Sequence, residues 1–345
     1  MCTDYAFKGH KNKIACSYPD LCSSVKVGGP ILCADGSLVL TVKEIRETSV
    51  MCEIMNNCKL GERKNMNLPG CEVKLPTITE KDEDDIIDFA LKKGCDFVAL
   101  SFVRKAKDIE ECRDILGPKG SRTKIIAKIE NQEGLENYDE ILKAADGIMI
   151  ARGDLGMEIP PQKVFVAQKW MTKKANLVGK SVIVATQMLE SMIVNPRPTR
   201  AEASDVANAV LDGCDCVMLS GETAGGSHPL ASVEIMSKIC VEAEQTFTYR
   251  ANFRSMLDNH SISNRQSKEE AMAVSAVQLS FGLDSKAIIC FTETGMIAAM
   301  LSKYRPKAWI IAVSIEDKII KGLSTNYGIV CLKIPSFQGL ENIVK

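Results

Sequence analysis

Histidine and tryptophan are scarce in this chain of 345 residues: three of the former (His10, His228, His260), two of the latter, and 5% aromatics overall. None of the histidines stands near a cysteine cluster, and the 14 cysteines include no CxxC pair. The nearest couple, Cys214 and Cys216, merely flanks Asp215 in an apolar run. A structural zinc site is therefore excluded as a reading. At about 4% the cysteines also fall below the ~8–10% of disulfide scaffolds. They are expected to be reduced thiols packed as small apolar residues.

A surplus charge of either sign is missing too. Lys and Arg number 43 against 44 Asp and Glu, which removes the general electrostatic case for nucleic acid or an acidic membrane surface. Apolar runs such as Phe97-Val98-Ala99-Leu100 are far too short to span a bilayer. No basic segment followed by an apolar run opens the chain, so a cytoplasmic location is expected. What is present, 46% hydrophobic and 25% charged residues, is the composition of a globular protein. The length suits one large barrel or two to three domains. Met1-Cys2-Thr3-Asp4-Tyr5 offers no opening cap or turn, and Leu340 to Lys345 ends in a helix-like pattern, so the chain reads as part of something longer.

Three regions follow from the patterning, with expected bounds of 1–70, 71–254 and 255–345. In the first, Ile31-Leu32-Cys33-Ala34, Ser37 to Val42 and Ser49 to Ile54 are separated by turn signals at Gly28-Gly29-Pro30 and Asp35-Gly36, which predicts a small antiparallel β module. In the second, short buried strands beginning near Phe97, Lys124, Asp146, Ser181 and Asp215 alternate with amphipathic stretches. That alternation predicts parallel β/α units, five of the eight that close a TIM barrel. After a polar linker at 255–268, helix and strand alternate again: Glu269 to Phe281, Ala287 to Thr292, Gly295 to Tyr304, Trp309 to Val313, Asp317 to Tyr327 and Ile329 to Leu332. This is a smaller α/β domain.

Barrel chemistry sits where strands end. Here the strands end in Ser101 and Arg104, Lys128 and Glu130, Arg152-Gly153-Asp154, Thr186-Gln187 and Ser220-Gly221-Glu222. Alternation places Lys128 and Glu130 on one face. Together they supply a cation for a phosphoryl oxygen and a carboxylate for a divalent metal, or else an ion pair that merely closes the barrel. Asp154 would sit on the next strand beside Glu130, and two carboxylates suit Mg²⁺. The competing reading is a glycine-rich turn with Asp154 as a helix cap. Thr186 offers a hydroxyl to hold water or relay a proton, or is simply a β-branched strand residue. Thr199 with Glu202 predicts a capping box. The Ser220-Gly221-Glu222-Thr223 turn reads equally as a phosphate contact or as plain loop, and the histidines as surface residues.

These motifs resemble the pyruvate kinase family. Ile125 to Gly134, Met149 to Pro160, Ala185 to Met192, Arg197 to Glu202 and Val217 to Ala224 carry its signatures in the family's order. Leu60 to Asn65 with Asn67-Leu68-Pro69-Gly70 looks most like the cytosolic plant branch. The resemblance implies a partial (β/α)8 barrel with part of a β lid domain and a truncated C-terminal three-layer α/β domain. It implies phosphoryl transfer from phosphoenolpyruvate to ADP, giving pyruvate and ATP in glycolysis, with Mg²⁺ and K⁺, in a tetramer. Lys128 would stabilise charge on phosphoryl oxygens and enolate, while Glu130 and Asp154 would hold Mg²⁺. The backbone of Arg152-Gly153-Asp154 would receive the substrate carboxylate, Thr186 would position the proton donor, and Lys64 would reach from the lid to nucleotide phosphates. The K⁺ ligands of the family are absent from this chain. The loop Thr292-Glu293-Thr294-Gly295 is similar to the family's effector phosphate loop, but Met296 and Ile297 follow where polar or basic residues would be expected. Two other readings are a silent truncated paralogue, acting only as a partner subunit or as a non-functional fragment, and a different Mg²⁺-dependent barrel such as an aldolase.

Overall fold

The computed structural model describes residues 1–261 and 267–338, which build three sheets. The first consists of β1 (Pro30–Cys33), β2 (Leu38–Ile45), β3 (Val50–Ile54) and β4 (Met66–Asn67), antiparallel in the order β3-β2-β1-β4. Leu38, Leu40 and Val42 alternate inward along β2, which is why the module has one apolar face. The turn between β1 and β2 places Ala34, Asp35 and Gly36 at φ 51°, 54° and 77°. Asn65 holds this left-handed run: its carbonyl accepts the Ala34 N–H at 3.1 Å and its Nδ2 donates to Asp35 Oδ1 at 2.6 Å. Strand β4 and the short helix Leu21–Ser24 are too short to leave a periodic signal.

The second sheet comprises β5 (Phe97–Leu100), β6 (Lys124–Ile129), β7 (Gly147–Ala151), β8 (Ser181–Ala185) and β9 (Cys216–Met218), parallel and in sequential order. Helices Ala106–Leu116, Tyr138–Ala144, Pro161–Val178 and Arg200–Asp212 fill the gaps. These are five consecutive units of a partial (β/α)8 barrel. Ile125, Ile129, Ile148, Ile150, Val182 and Val184 are fully buried between sheet and helices, each contributing roughly 1.5–3 kcal/mol relative to exposure. The opposite face carries Ile126, Met149 and Ala185. Lys128, two residues past Ile126, shares it.

The predicted capping box is present. Thr199 Oγ1 accepts the Glu202 N–H at 3.2 Å, and Glu202 accepts the Thr199 N–H at 2.7 Å and the Ser191 N–H at 2.7 Å. Burial pushes the Glu202 carboxyl up, but the hydrogen bonds from Ser191 and Thr199 outweigh it and hold the carboxyl below its usual value. A depressed carboxylate pKa stabilises the fold above the unfolded-state pKa and loses that contribution as pH falls through the folded value. Thr199→Ala is therefore expected to cost about 1 kcal/mol in urea unfolding at pH 7. Glu202→Gln should flatten the fall of wild-type stability below about pH 4.3, the ordinary Glu value. An acid limb unchanged by Glu202→Gln would show that this carboxylate is not the group titrating.

The third sheet holds β10 (Ala287–Phe291), β11 (Trp309–Ser314) and β12 (Ile329–Lys333), parallel, with helices Lys268–Leu283, Met296–Lys303 and Asp317–Gly322. The last of these stops at Gly322, short of the expected Tyr327. The 255–268 stretch is not a linker where it is described. Residues 255–261 continue helix Tyr249–Ser261, whose Phe253 and Met256 enter the core of this third unit, and Ser267 caps the next helix. Residues 262–266, and the helix-like end at Leu340 to Lys345, lie outside the described residues.

This unit docks against the strands' N-terminal ends, opposite to the candidate site. Lys318 pairs with Asp96 at 2.9 Å just before β5, and Arg305 with Asp215 at 3.3 Å just before β9. Asp215 also accepts the Val182 N–H at 2.8 Å and the Tyr327 N–H at 3.0 Å. All 14 cysteines are free thiols; Cys2, Cys16, Cys33, Cys112, Cys214 and Cys290 are buried, and only Cys58 is exposed. Among the described residues no helix is long and apolar enough to cross a membrane.

Candidate active site

The C-terminal ends of β5 to β8 bring together side chains that lie far apart in sequence. Lys128 Nζ stands 3.0 Å from Glu130 Oε1 and donates to Ser101 Oγ at 2.7 Å. The Glu130 side chain is 2% exposed, and its second oxygen accepts the Phe102 N–H at 2.6 Å. Phe102 has φ 53°, a left-handed backbone uncommon for a large side chain, which directs that N–H to the carboxylate. The ion pair foreseen between Lys128 and Glu130 exists, at the mouth of the sheet rather than within its packed layer.

Asp154 is not on a strand. Strand β7 ends at Ala151, and Asp154 lies in the first turn of helix Arg152–Glu158. The chain turns helical there because Gly153 and Gly156 leave room, Gly153 passing against the Thr186 side chain. Burial and the neighbouring Glu130 charge push the Asp154 carboxyl up, with Lys128 opposing and Asp35 of the β module reinforcing. Two carboxylates this close, with Lys128 as their counter-charge, fit a divalent cation completed by water and substrate oxygens. Among the described residues no group of three or more His, Cys, Asp or Glu forms a self-sufficient metal cage.

Thr186 Oγ1 accepts the Gly153 N–H at 2.6 Å and donates to the Ala185 carbonyl at 2.6 Å. Thr186 and Gln187 have φ 69° and 54°, a strained pair costing on the order of 1–3 kcal/mol per residue. The surroundings that hold them there come from Arg152. Its guanidinium donates to the Thr186 carbonyl at 2.9 Å and forms an ion pair with Asp205 at 2.6 Å. The Arg152 side chain is thus turned to the scaffold, leaving only its backbone for a ligand. Lys64 sits exposed on the loop before β4. It lines a cleft of about 1890 Å³ together with Ser101, Phe102, Arg104, Asn131 and Glu158. Lys128, Glu130 and Asp154 do not line that cleft, and among the described residues no hydrogen bond or ion pair joins Lys64 to them.

Glu222, left open by its sequence, is fully buried and structural: it accepts the Leu189 N–H at 2.9 Å and the Ser220 N–H at 2.8 Å, tying the β8 and β9 loops together. His10 is exposed and His228 half-buried, with His228 Nε2 beside the Val194 carbonyl at 3.2 Å. The His260 side chain lies outside the described residues. Phe102 and Asp205 went unrecognised in the sequence. A backbone amide leaves no residue-type signal, and Asp205 is 53 positions from the arginine it serves.

The sequence matches the pyruvate kinase barrel domain over residues 1–233 and the pyruvate kinase alpha/beta domain over residues 270–345. A pyruvate kinase from Eimeria tenella is 53% identical over 343 residues, 99% of this chain and 64% of that protein. The cytosolic isozyme from Solanum tuberosum is 50% identical over 313 residues, 90% of this chain and 61% of its own length. This chain thus spans less than two thirds of these two relatives. The solved structure of Cryptosporidium parvum pyruvate kinase in complex with ADP superposes with a TM-score of 0.92 at 48% identity, covering 99% of this chain and 69% of the other. With both domain matches and these relatives in agreement, the chain belongs to the pyruvate kinase family.

Proposed function

We propose that the chain carries the phosphoryl-transfer half-site of a pyruvate kinase, moving a phosphoryl group from phosphoenolpyruvate to ADP to give pyruvate and ATP in the cytoplasm. The observation that carries this reading is the Lys128–Glu130 pair at 3.0 Å with Asp154 beside it. A fixed cation and two carboxylates, grouped where strands end, are what phosphoryl transfer asks of a protein, because positioning and electrostatics supply most of its catalysis.

Glu130 and Asp154 would hold Mg²⁺, which when bound neutralises charge on the transferring oxygens. Lys128 Nζ faces the same oxygens and stabilises the enolate left behind. Backbone N–H groups at the start of helix Arg152–Glu158 face the substrate carboxylate. Thr186, whose hydroxyl already spans Gly153 and Ala185, positions the water or group that protonates the enolate. Lys64 would meet the nucleotide phosphates once the β module, acting as a lid, swings over. The family generally uses K⁺ as well, and K⁺ enters no step of this reading. A homo-oligomer, tetrameric as the resemblance implies, belongs to the same proposal.

The test is pyruvate formation from phosphoenolpyruvate and ADP with Mg²⁺, followed by a coupled assay on the full chain. Activity abolished by EDTA, and lowered roughly 10²–10³-fold by Glu130→Gln, is the expected result. Turnover indifferent to both would remove the carboxylates from the chemistry. One observation favours a second reading, a silent partner subunit: β5 and β9 are unpaired edges of their sheet, which invite association. Activity from the purified chain alone decides against it.

A further inference from the structure

The stem that joins the β module to the barrel, residues 67–77, is tied at both ends to the segments that present the two carboxylates. At its start Asn67, 5% exposed, donates from Nδ2 to Glu158 Oε1 at 2.9 Å. Glu158 lies four residues after Asp154 on the same helix, so both carboxylates stand on one helical face. At its end the Arg104 guanidinium donates to the carbonyls of Val73 and Leu75 and to Thr77 Oγ1. Arg104 is two residues beyond Phe102, whose N–H holds Glu130. Within the second tie, the Lys74 N–H donates to Tyr18 Oη at 3.0 Å, fixing the stem to the module itself.

We infer that Asn67, Glu158 and Arg104 are positioning residues: the stem works as a strap that sets the placement of Glu130 and Asp154 according to where the module stands. A short segment bonded at one end to helix Arg152–Glu158 and at the other to the loop after β5 cannot shift without moving both. The inference rests on the kinase reading only in assigning Glu130 and Asp154 to the metal.

Amide hydrogen exchange on the full chain, paired with Mn²⁺ titration, tests it. In Asn67→Ala and Glu158→Ala, exchange is expected to quicken at amides 68–76 and also at Phe102 and 153–158. Mn²⁺ binding should weaken at least about fivefold. Glu158→Gln, which keeps the oxygen that accepts from Asn67, should restore wild-type behaviour in both readouts. Faster exchange confined to 68–76, with unchanged Mn²⁺ affinity, would overturn the strap and leave a local packing contact. Glu158→Gln behaving like Glu158→Ala would overturn the hydrogen bond as its basis. A wild-type chain without turnover would count against the kinase reading alone, because exchange at Phe102 and 153–158 is measured without substrate.

Discussion

Lys128→Met is expected to lower kcat for pyruvate formation roughly 10²–10³-fold, the usual effect of deleting one preorganised electrostatic contact. The ammonium is held by Ser101 Oγ at 2.7 Å and Glu130 at 3.0 Å, so it costs no reorganisation when charge develops on the substrate. Because it acts on charge that grows in the transition state, kcat and kcat/KM should fall together while KM for phosphoenolpyruvate changes little. The variant also leaves Glu130 buried with the Phe102 N–H but no cation, at an expected stability cost of about 1–3 kcal/mol. Thermal unfolding beside the coupled assay separates the two effects. Turnover undiminished in a folded Lys128→Met chain would remove this residue from the reaction.

Asp215→Ala should be among the most destabilising single changes in the molecule, about 3–5 kcal/mol, because it strands a buried guanidinium. Arg305 is 4% exposed and sits at φ 46°, pressed over the Tyr327 ring at 4.4 Å, so it has nowhere to carry its charge. Removal of the carboxylate also orphans the N–H groups of Val182 and Tyr327, one in the barrel sheet and one in the C-terminal unit. Urea unfolding is expected to show the midpoint fall and the transition broaden or split as the two units lose their common anchor. The double variant Asp215→Ala/Arg305→Met, which removes the stranded charge, should recover part of the loss. A cost below about 1 kcal/mol for Asp215→Ala would mean that the pair is not energetically buried.

Much of this architecture was legible in the sequence because buried parallel strands leave a strong trace. Runs such as Ile125-Ile126-Ala127 and Ile148-Met149-Ile150 can only be strands covered on both faces, and the observed starts agree with the expected ones to within a residue. The polar residues closing each run pointed to the site for the same reason. What the sequence concealed is backbone direction. Nothing in the residue types of Phe102, Thr186 and Gln187 announces a left-handed φ, and without it the Glu130 amide contact and the Gly153–Thr186 contact have no geometry. Asp154 was misplaced because the strand was carried past Ala151, whereas the helix begins directly at Arg152, with Gly153 and Gly156 in its first turns. The expectation for Arg152 concerned its backbone, and only the packed structure shows where its side chain goes, to Asp205 on the neighbouring helix. The helical stretch at 255–261 hid behind polar residues because its own apolar contribution is small, Met256 and Leu257, with Phe253 burying from the turn before.

The distribution of thiols bears on how the β module could be watched. Thirteen of the 14 cysteines are buried or half-buried, and burial lifts many of them, Cys33 and Cys112 to about 11, away from the thiolate form that reacts. Cys58 alone is exposed, and it lies on the same loop as Lys64, between β3 and β4 of the β module. The native chain thus comes with its own exposed attachment point for a thiol-directed fluorophore, a reporter of the position of the β module that needs no engineered cysteine.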